Sequence, residues 1–373
     1  MPFEEKTADT LHNTLKCSNC GAALHYAPGT SSLTCEYCGA VNKIEVEAVA
    51  IAPVDYDTYI ASAITPQNGQ AAKVVKCSNC GASTTLLPNV TSDACPFCAS
   101  PLVIAQAKDM TLPKPHYVLP FAVKQQDAYG HFRTWLGKLW FAPSDLVKKV
   151  NNTSSQQLKG LYIPYWSFDT DTHTTYTGQR GDYYYVTRTR TVTDSNGDSH
   201  TETYEERETR WSNVSGYVDC DFQDVLVSAS PSLPEKLSEK LEPWRLQDLS
   251  AFDERFLSGF RSETYTIAAP EALGIAKRRM DGEIRSSICG DIGGDEQHID
   301  TYDVNYHNLG LKYILLPVWI SAYRYNNKLY HVVVNACTGE VAGERPYSAM
   351  KIALLVLAIL ALIIAIVMMT QHS

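Results

Sequence analysis

Apolar positions follow different rules in different parts of the chain, and each rule predicts an element. Between Lys124 and Trp140 they recur at Ala128, Phe132, Trp135, Leu136 and Leu139, a helical stripe. Ser144 then caps a second short helix in SDLVKKV. Residues 161–227 switch to β-rich composition. Tyr183 to Thr193 and Ser199 to Trp211 flank Asn196-Gly197, a strong hairpin turn signal. Arg188, Arg190, Arg207 and Arg210 on these arms can pair across strands with Glu202, Glu205, Glu206 and Glu208.

From Leu233 to Phe260, Leu and Phe at helical spacing predict two short helices. Pro270 suits the first turn of a longer helix running to about Ile288, with Leu273, Ala276, Met280, Ile284 and Ile288 facing inward. Tyr313 to Tyr325 and Lys328 to Ala336 read as a hairpin over Asn326-Asn327, with a further turn at Thr338-Gly339. Ile163-Pro164-Tyr165-Trp166 echoes Leu316-Pro317-Val318-Trp319.

The last pattern has no polar face. Ile352 to Met369 are 18 consecutive apolar residues between Lys351 and the tetrapeptide Thr370-Gln371-His372-Ser373. At ~1.5 Å per residue such a helix spans about 27 Å, enough for a hydrocarbon core of ~30 Å. Met1 to Thr14 lack the basic flank and apolar core of a signal peptide. Arg345 and Lys351 precede the run and no Lys or Arg follows it, so the positive-inside bias puts the N-terminus in the cytoplasm. The expectation is a tail-anchored, single-pass protein of the cell membrane. Its body then lies in a reducing compartment, where cysteines are thiols or metal ligands.

Cysteine spacing turns that expectation into chemistry. Cys17, Cys20, Cys35 and Cys38 form two Cys-x2-Cys pairs, and Cys77, Cys80, Cys95 and Cys98 repeat them 60 residues on. KCSNCGA occurs at Lys16–Ala22 and again at Lys76–Ala82, and Pro28 corresponds to Pro88. Each Cys-x2-Cys turn aims two thiolates at one ion, and two such knuckles complete a tetrahedral four-sulfur sphere with no position left for water. Two structural Zn2+ ions are therefore expected, each supplying ~10–16 kcal/mol of folding free energy to a segment too short for a core. The same ligands also suit a rubredoxin-like iron. Cys220, Cys289 and Cys337 remain as ordinary buried thiols.

The expected architecture is multi-domain. It has two four-cysteine zinc ribbons of small β type, an α+β body rich in antiparallel strands, and one C-terminal transmembrane helix. The boundaries read as a tail at 1–16, ribbons at 17–38 and 77–98, linkers at 39–76 and 99–120, the cytosolic body at 121–347 and the membrane helix at 350–370. Pro101, Pro113, Pro115 and Pro120 mark the second linker.

Charge decides among functions. The chain has 373 residues and a formal charge of −9, and residues 1–110 hold six lysines, no arginine and ten acids. Loading eight thiolates with two Zn2+ brings that head to about −8, which disfavours phosphate backbones and leaves a nucleic-acid-binding replication accessory as the runner-up. Cys289, Asp291, Asp295 and His298, in or beside GDIGGDEQHID, suggest a third reading, a membrane-bound enzyme using the 289–298 loop. Two glycines after a helix more simply make a C-cap and a loop. Neither a phosphate loop nor a G-x-S-x-G elbow occurs, so the expectation is a protein that catalyses nothing.

Two KCxxCGA ribbons precede LKGLYIPYWSFDTDT, TRW, LEPW, DIGGD, LLPVWISAYRY and VNACTGEVAGERPYS, and a hydrophobic tail follows. This set resembles the YdjG-like zinc-ribbon membrane proteins of bacteria, often labelled primosomal protein N′ or superfamily II helicase. The helicase label lacks support here, because the phosphate loop and acidic motif that hold Mg-ATP are missing. The resemblance implies an adaptor or scaffold at the cytoplasmic membrane face, with SPFH-domain (flotillin-like) and phage-shock-type proteins as partners.

Overall fold

The computed structural model describes residues 16–45, 50–62, 69–85, 93–98, 100–102, 107–151, 158–193, 198–326 and 328–371. Around the first four cysteines, β1 (Leu24–Tyr26), β2 (Ser32–Cys35) and β3 (Val41–Lys43) pair in order as an antiparallel sheet. β4 (Val54–Asp55) leads into α1 (Tyr56–Ser62). Around the second four lie β5 (Gly69–Lys76) and β6 (Ser83–Thr85), then β7 (Asp93–Ala94) paired with β8 (Pro101–Leu102), then β9 (Lys108–Pro113). β9 returns to pair with β5.

The segments 39–76 and 99–120 thus carry strands where linkers were expected. β3 completes the first ribbon sheet, and β4 pairs with the body at Gly310 and Leu311. A Cys-x2-Cys pair supplies only short strands, and their open edges need a further strand to satisfy backbone N–H and C=O groups. Pro101 starts β8 and Pro113 ends β9, positions where a missing N–H is tolerated.

The body follows: β10 (Tyr117–Val118), α2 (Gln125–Gly137), α3 (Leu146–Asn151), β11 (Lys159–Thr193), β12 (Ser199–Ser228) and α4 (Glu235–Glu239). β13 (Ser250–Ala251), β14 (Arg261–Ser262), α5 (Ala269–Ile292), β15 (Glu296–Tyr325), β16 (Lys328–Asn335), β17 (Val341–Gly343) and α6 (Ala349–Gln371) complete it. The spine of its nine-stranded sheet runs β12-β11-β15-β10-β13. β11 is 35 residues long and β12 and β15 are 30 each, on the order of 100 Å of strand apiece. The strand over 296–312 goes beyond the expected elements, although Tyr302, Val304 and Tyr306 alternate with Asp303, Asn305 and His307 as a half-buried strand does.

β15 accompanies β11 only as far as the Gly181↔Glu296 pair. Beyond it β11 and β12 continue as a two-stranded arm, paired to Thr193↔Ser199. Part of the expected cross-strand pairing forms there: Arg188 bridges Glu206 and Glu208, and Arg190 meets Glu202 at 2.9 Å. Arg207 instead covers the Tyr183 ring at 4.1 Å. These pairs lie at the surface, where solvent screening leaves little net stabilisation. Asn196-Gly197 lies outside the described residues.

α5 packs on the long strands through Ala269, Ala272, Ala276, Met280, Ile284, Ile288 and Ile292, all buried among Trp166, Phe168, Tyr176, Phe222 and Leu311. Leu273, expected inward, is only half-buried. Ala272 takes the inward place because its short side chain lets the helix approach the sheet. Pro270 sits in the first turn, where its missing N–H costs nothing. α2 buries Ala128, Phe132 and Leu136 as the stripe requires. Of the three remaining thiols only Cys337 is buried. Cys220 and Cys289 are half-buried, since both lie where α5 meets the partly wet long ribbon.

The two Trp motifs face each other across the sheet centre, with Ile163 opposite Leu316. Their surroundings match. The Pro164 carbonyl accepts from the Ala229 N–H, the Ala229 carbonyl from Thr266 and Ile267, and the Trp166 indole donates to the Ile267 carbonyl. The Pro317 carbonyl accepts from the Ala336 N–H, the Ala336 carbonyl from Ala122 and Val123, and the Trp319 indole donates to the Val123 carbonyl. Each Trp therefore fixes the entry of a helix, α5 in one case and α2 in the other. Both proline carbonyls find partners although neither ring can donate.

α6 is 23 residues long, and its apolar side chains are exposed along their whole length. Its most apolar window has a mean hydropathy of 3.4 and none of it is buried, so the helix is long and apolar enough to cross a membrane.

Ile284 has no exposed surface. Ile284→Ala should lower unfolding stability by about 2–5 kcal/mol, read as a drop in the denaturant midpoint, because it leaves a cavity between α5 and the sheet.

Candidate metal centres

Each ribbon begins as a backbone device. In the first, the Cys17 N–H donates to the Ala22 carbonyl at 2.7 Å and the Gly21 N–H to the Cys17 carbonyl at 2.8 Å. In the second, Cys77 and Ala82 make the same bond at 2.8 Å, and Gly81 and Cys77 at 2.9 Å. Gly21 and Gly81 have φ of 73° and 79°, a conformation that side chains resist. The identical KCSNCGA strings thus produce identical turns.

The turns bring the sulfurs together. Cys17 and Cys38 stand 3.5 Å apart, as do Cys20 and Cys35; in the second set Cys77–Cys98 is 3.6 Å and Cys80–Cys95 is 3.5 Å. Within each set all four sulfurs lie within 4.8 Å of one another, so each set can hold a metal ion. A tetrahedron with ~2.3 Å metal–sulfur bonds has edges of about 3.8 Å, while a disulfide needs ~2.05 Å. The geometry fits a shared cation and not a disulfide.

The electrostatics agree. The Asn19 and Cys20 N–H groups point at the Cys17 sulfur and hold its thiol below the ordinary value. The Cys38 N–H, with that of Tyr37, brings Cys35 down to about 7 against the effect of burial. Burial opposes ionisation of Cys98, yet hydrogen bonds from Asn79 and Ser100 bring it to about 6. Cys20 receives an N–H from Ala22, but the facing sulfurs of Cys35 and Cys38 push it up to about 12. Burial raises Cys80 and Cys95 above the ordinary thiol range, so each set joins thiols that ionise readily to thiols that hold their proton, and a cation between them would offset the crowding.

The cysteine spacing carries no information on how the ribbons attach. Both dock on one connector, residues 254–264. The Tyr26 N–H donates to the Ser258 carbonyl at 3.0 Å, and the Tyr26 ring packs edge-on against Phe256 at 5.3 Å. On the other side the Thr264 N–H donates to the Ser83 carbonyl at 3.1 Å, Thr85 bonds the Ser262 carbonyl at 2.9 Å, and Arg261 reaches the Ala94 carbonyl at 2.7 Å. Cys17 and Cys35 lie in one core with Phe121, Phe256 and Trp319; Cys77, Cys95 and Cys98 lie in another with Leu161, Ile163 and Leu316. Phe256 and Phe260 gave the only available signal, as aromatics in a segment short of other apolar residues.

Glu263 sits in this connector with 1% of its surface exposed. Burial raises its carboxyl to about 7, while Ser230 and Ser232 hydrogen bonds work in the opposite sense.

The 289–298 residues do not converge. Asp291 accepts from the Tyr176 hydroxyl, Asp295 accepts from the Tyr183 N–H at 2.7 Å, and His298 lies 3.5 Å from Asp300 with most of its side chain in water. Gly293 and Gly294, at φ of 64° and 78°, turn the chain from α5 into β15, which is the C-cap and loop. Among the described residues, only the two cysteine sets bring three or more Cys, His, Asp or Glu ligands together.

Two measurements follow from this geometry. The second set keeps only Cys80 exposed while the first exposes both Cys20 and Cys38. A competing chelator should therefore strip the first ribbon severalfold faster, and Cys95→Ser should remove one metal equivalent per chain and spare the other, read by metal analysis in reducing buffer. Because the folded Glu263 has a raised pKa, its stabilising contribution is full below the unfolded value of about 4.5 and is lost as pH rises through about 7. Unfolding midpoints should fall by on the order of 3 kcal/mol equivalent over that window, and Glu263→Gln should flatten the profile.

No protein-family model matches the chain, and no solved structure matches it. Over an alignment of 355 residues, covering 91% of this chain and 91% of the relative, it is 29% identical to the uncharacterized protein YdjG of Bacillus subtilis (strain 168).

Proposed function

We propose that this is a membrane-anchored zinc protein whose cytoplasmic part serves as an adaptor for protein partners and performs no chemistry of its own. The observation that carries the reading is the closure of both metal spheres by four sulfurs each, with both ribbons locked onto the body that leads into the apolar helix. A closed four-thiolate sphere favours zinc in a structural role, since no position remains for a substrate or water. The separate commitments of Asp291, Asp295 and His298 support the absence of catalysis at that loop.

The orientation follows from Arg345 and Lys351 on the body side of the span. Partner class comes from the resemblance: SPFH-domain (flotillin-like) and phage-shock-type membrane-stress proteins. The arginine-free, acidic head supports protein over nucleic acid.

Crosslinking the full-length protein in its native membrane should co-purify proteins of these classes, and Cys35→Ser should reduce their yield severalfold. Recovery of nucleic acid instead, with affinity falling steeply as salt rises, would overturn the adaptor reading.

A further inference from the structure

The body is tied to the start of α6 at one turn. The Lys351 ammonium donates to the Trp140 carbonyl at 3.1 Å and to the Ala142 carbonyl at 2.8 Å, and the Ser348 N–H donates to the Phe141 carbonyl at 2.7 Å. The unbroken apolar run begins at Ile352, the next residue. The turn from Leu139 to Ala142 therefore stands level with the first residues of the helix.

Its side chains are unusual for a water-facing turn. Trp140 is 76% exposed, and Tyr347, two residues before the helix, is 62% exposed. Trp and Tyr with an apolar ring and a polar edge are the residues that settle at the headgroup level of a bilayer. The local charge also departs from the rest of the chain. Residues 124–151 carry Lys124, Arg133, Lys138, Lys148 and Lys149 against Asp127 and Asp145, all of them exposed, with Asp145 paired to Lys149 at 2.8 Å, in a chain whose net charge is −9. Such a basic patch beside a span complements an anionic leaflet.

We propose that the Leu139–Ala142 turn, with Trp140 at its tip, rests in the headgroup layer of the bilayer that α6 crosses. The occupant of this surface is lipid, and the basic α2–α3 region faces anionic headgroups. The body then has a fixed seat on the membrane instead of swinging from a tether. This rests on the membrane-spanning reading of α6.

Of the six tryptophans, only Trp140 and Trp211 are markedly exposed, and Trp211 lies on β12. Full-length protein is reconstituted in phosphatidylcholine–phosphatidylglycerol vesicles, with or without phosphatidylcholine brominated near the glycerol end of its acyl chains. Brominated lipid should quench part of the tryptophan emission. Trp140→Phe should abolish that quenched part, and Trp211→Phe should leave it intact. Trp140→Tyr keeps an interfacial ring and provides a second variant with the same expected loss. Equal quenching in wild type and both Trp140 variants overturns the proposal, as does an unquenched wild type that floats with the vesicles, the result expected if a protein covers Trp140. Protein that fails to float overturns the span itself and this inference with it, so the two failures are distinguishable.

Discussion

The antiparallel pairing of β11 with β15 is the constraint on which the rest depends. It places Ile163 opposite Leu316 at the sheet centre, and the pairing runs outward from there with shifts at Asp169/Asp171 and Thr177/Gly178. A slip of one residue would turn Leu161, Ile163, Leu316 and Val318, all without exposed surface, to the opposite face. The pairing also brings the two Trp motifs together, and through their indoles it fixes where α2 and α5 begin.

A buried cation helps hold that register. Lys312, 5% exposed, lies 2.8 Å from Asp169 and 2.6 Å from Asp224, and Ser167 also bonds Asp224. The strand irregularities at Asp169 sit beside it, so the charge network marks the place where the long ribbon changes course. An ion pair so deep stabilises little by itself, but loss of one partner leaves an uncompensated charge and is costly.

The ribbons depend on this frame and return support to it. Neither cysteine-bound segment encloses a core of its own. Each adds its cysteines and a few apolar residues, such as Leu24 and Leu33 in one and Val75 and Phe97 in the other, to a core that body strands complete. The 254–264 connector lies between the ribbons, with Ser258 serving one and Ser262 and Thr264 the other. The geometry of the two cysteine sets and the packing of the body are therefore linked through a short stretch of chain.

Local signals were enough for local features. Cysteine spacing named both thiolate sets, helical periodicity placed α2 and α5, and 18 unbroken apolar residues identified α6, because each depends on neighbours a few positions apart. The strand from Glu296, the strands within the supposed linkers, the docking of both ribbons on one connector and the separation of Asp291, Asp295 and His298 depend on partners far along the chain. Tertiary structure alone decides those, since a strand pair or a buried carboxylate such as Glu263 is stabilised by groups that its own sequence window does not contain.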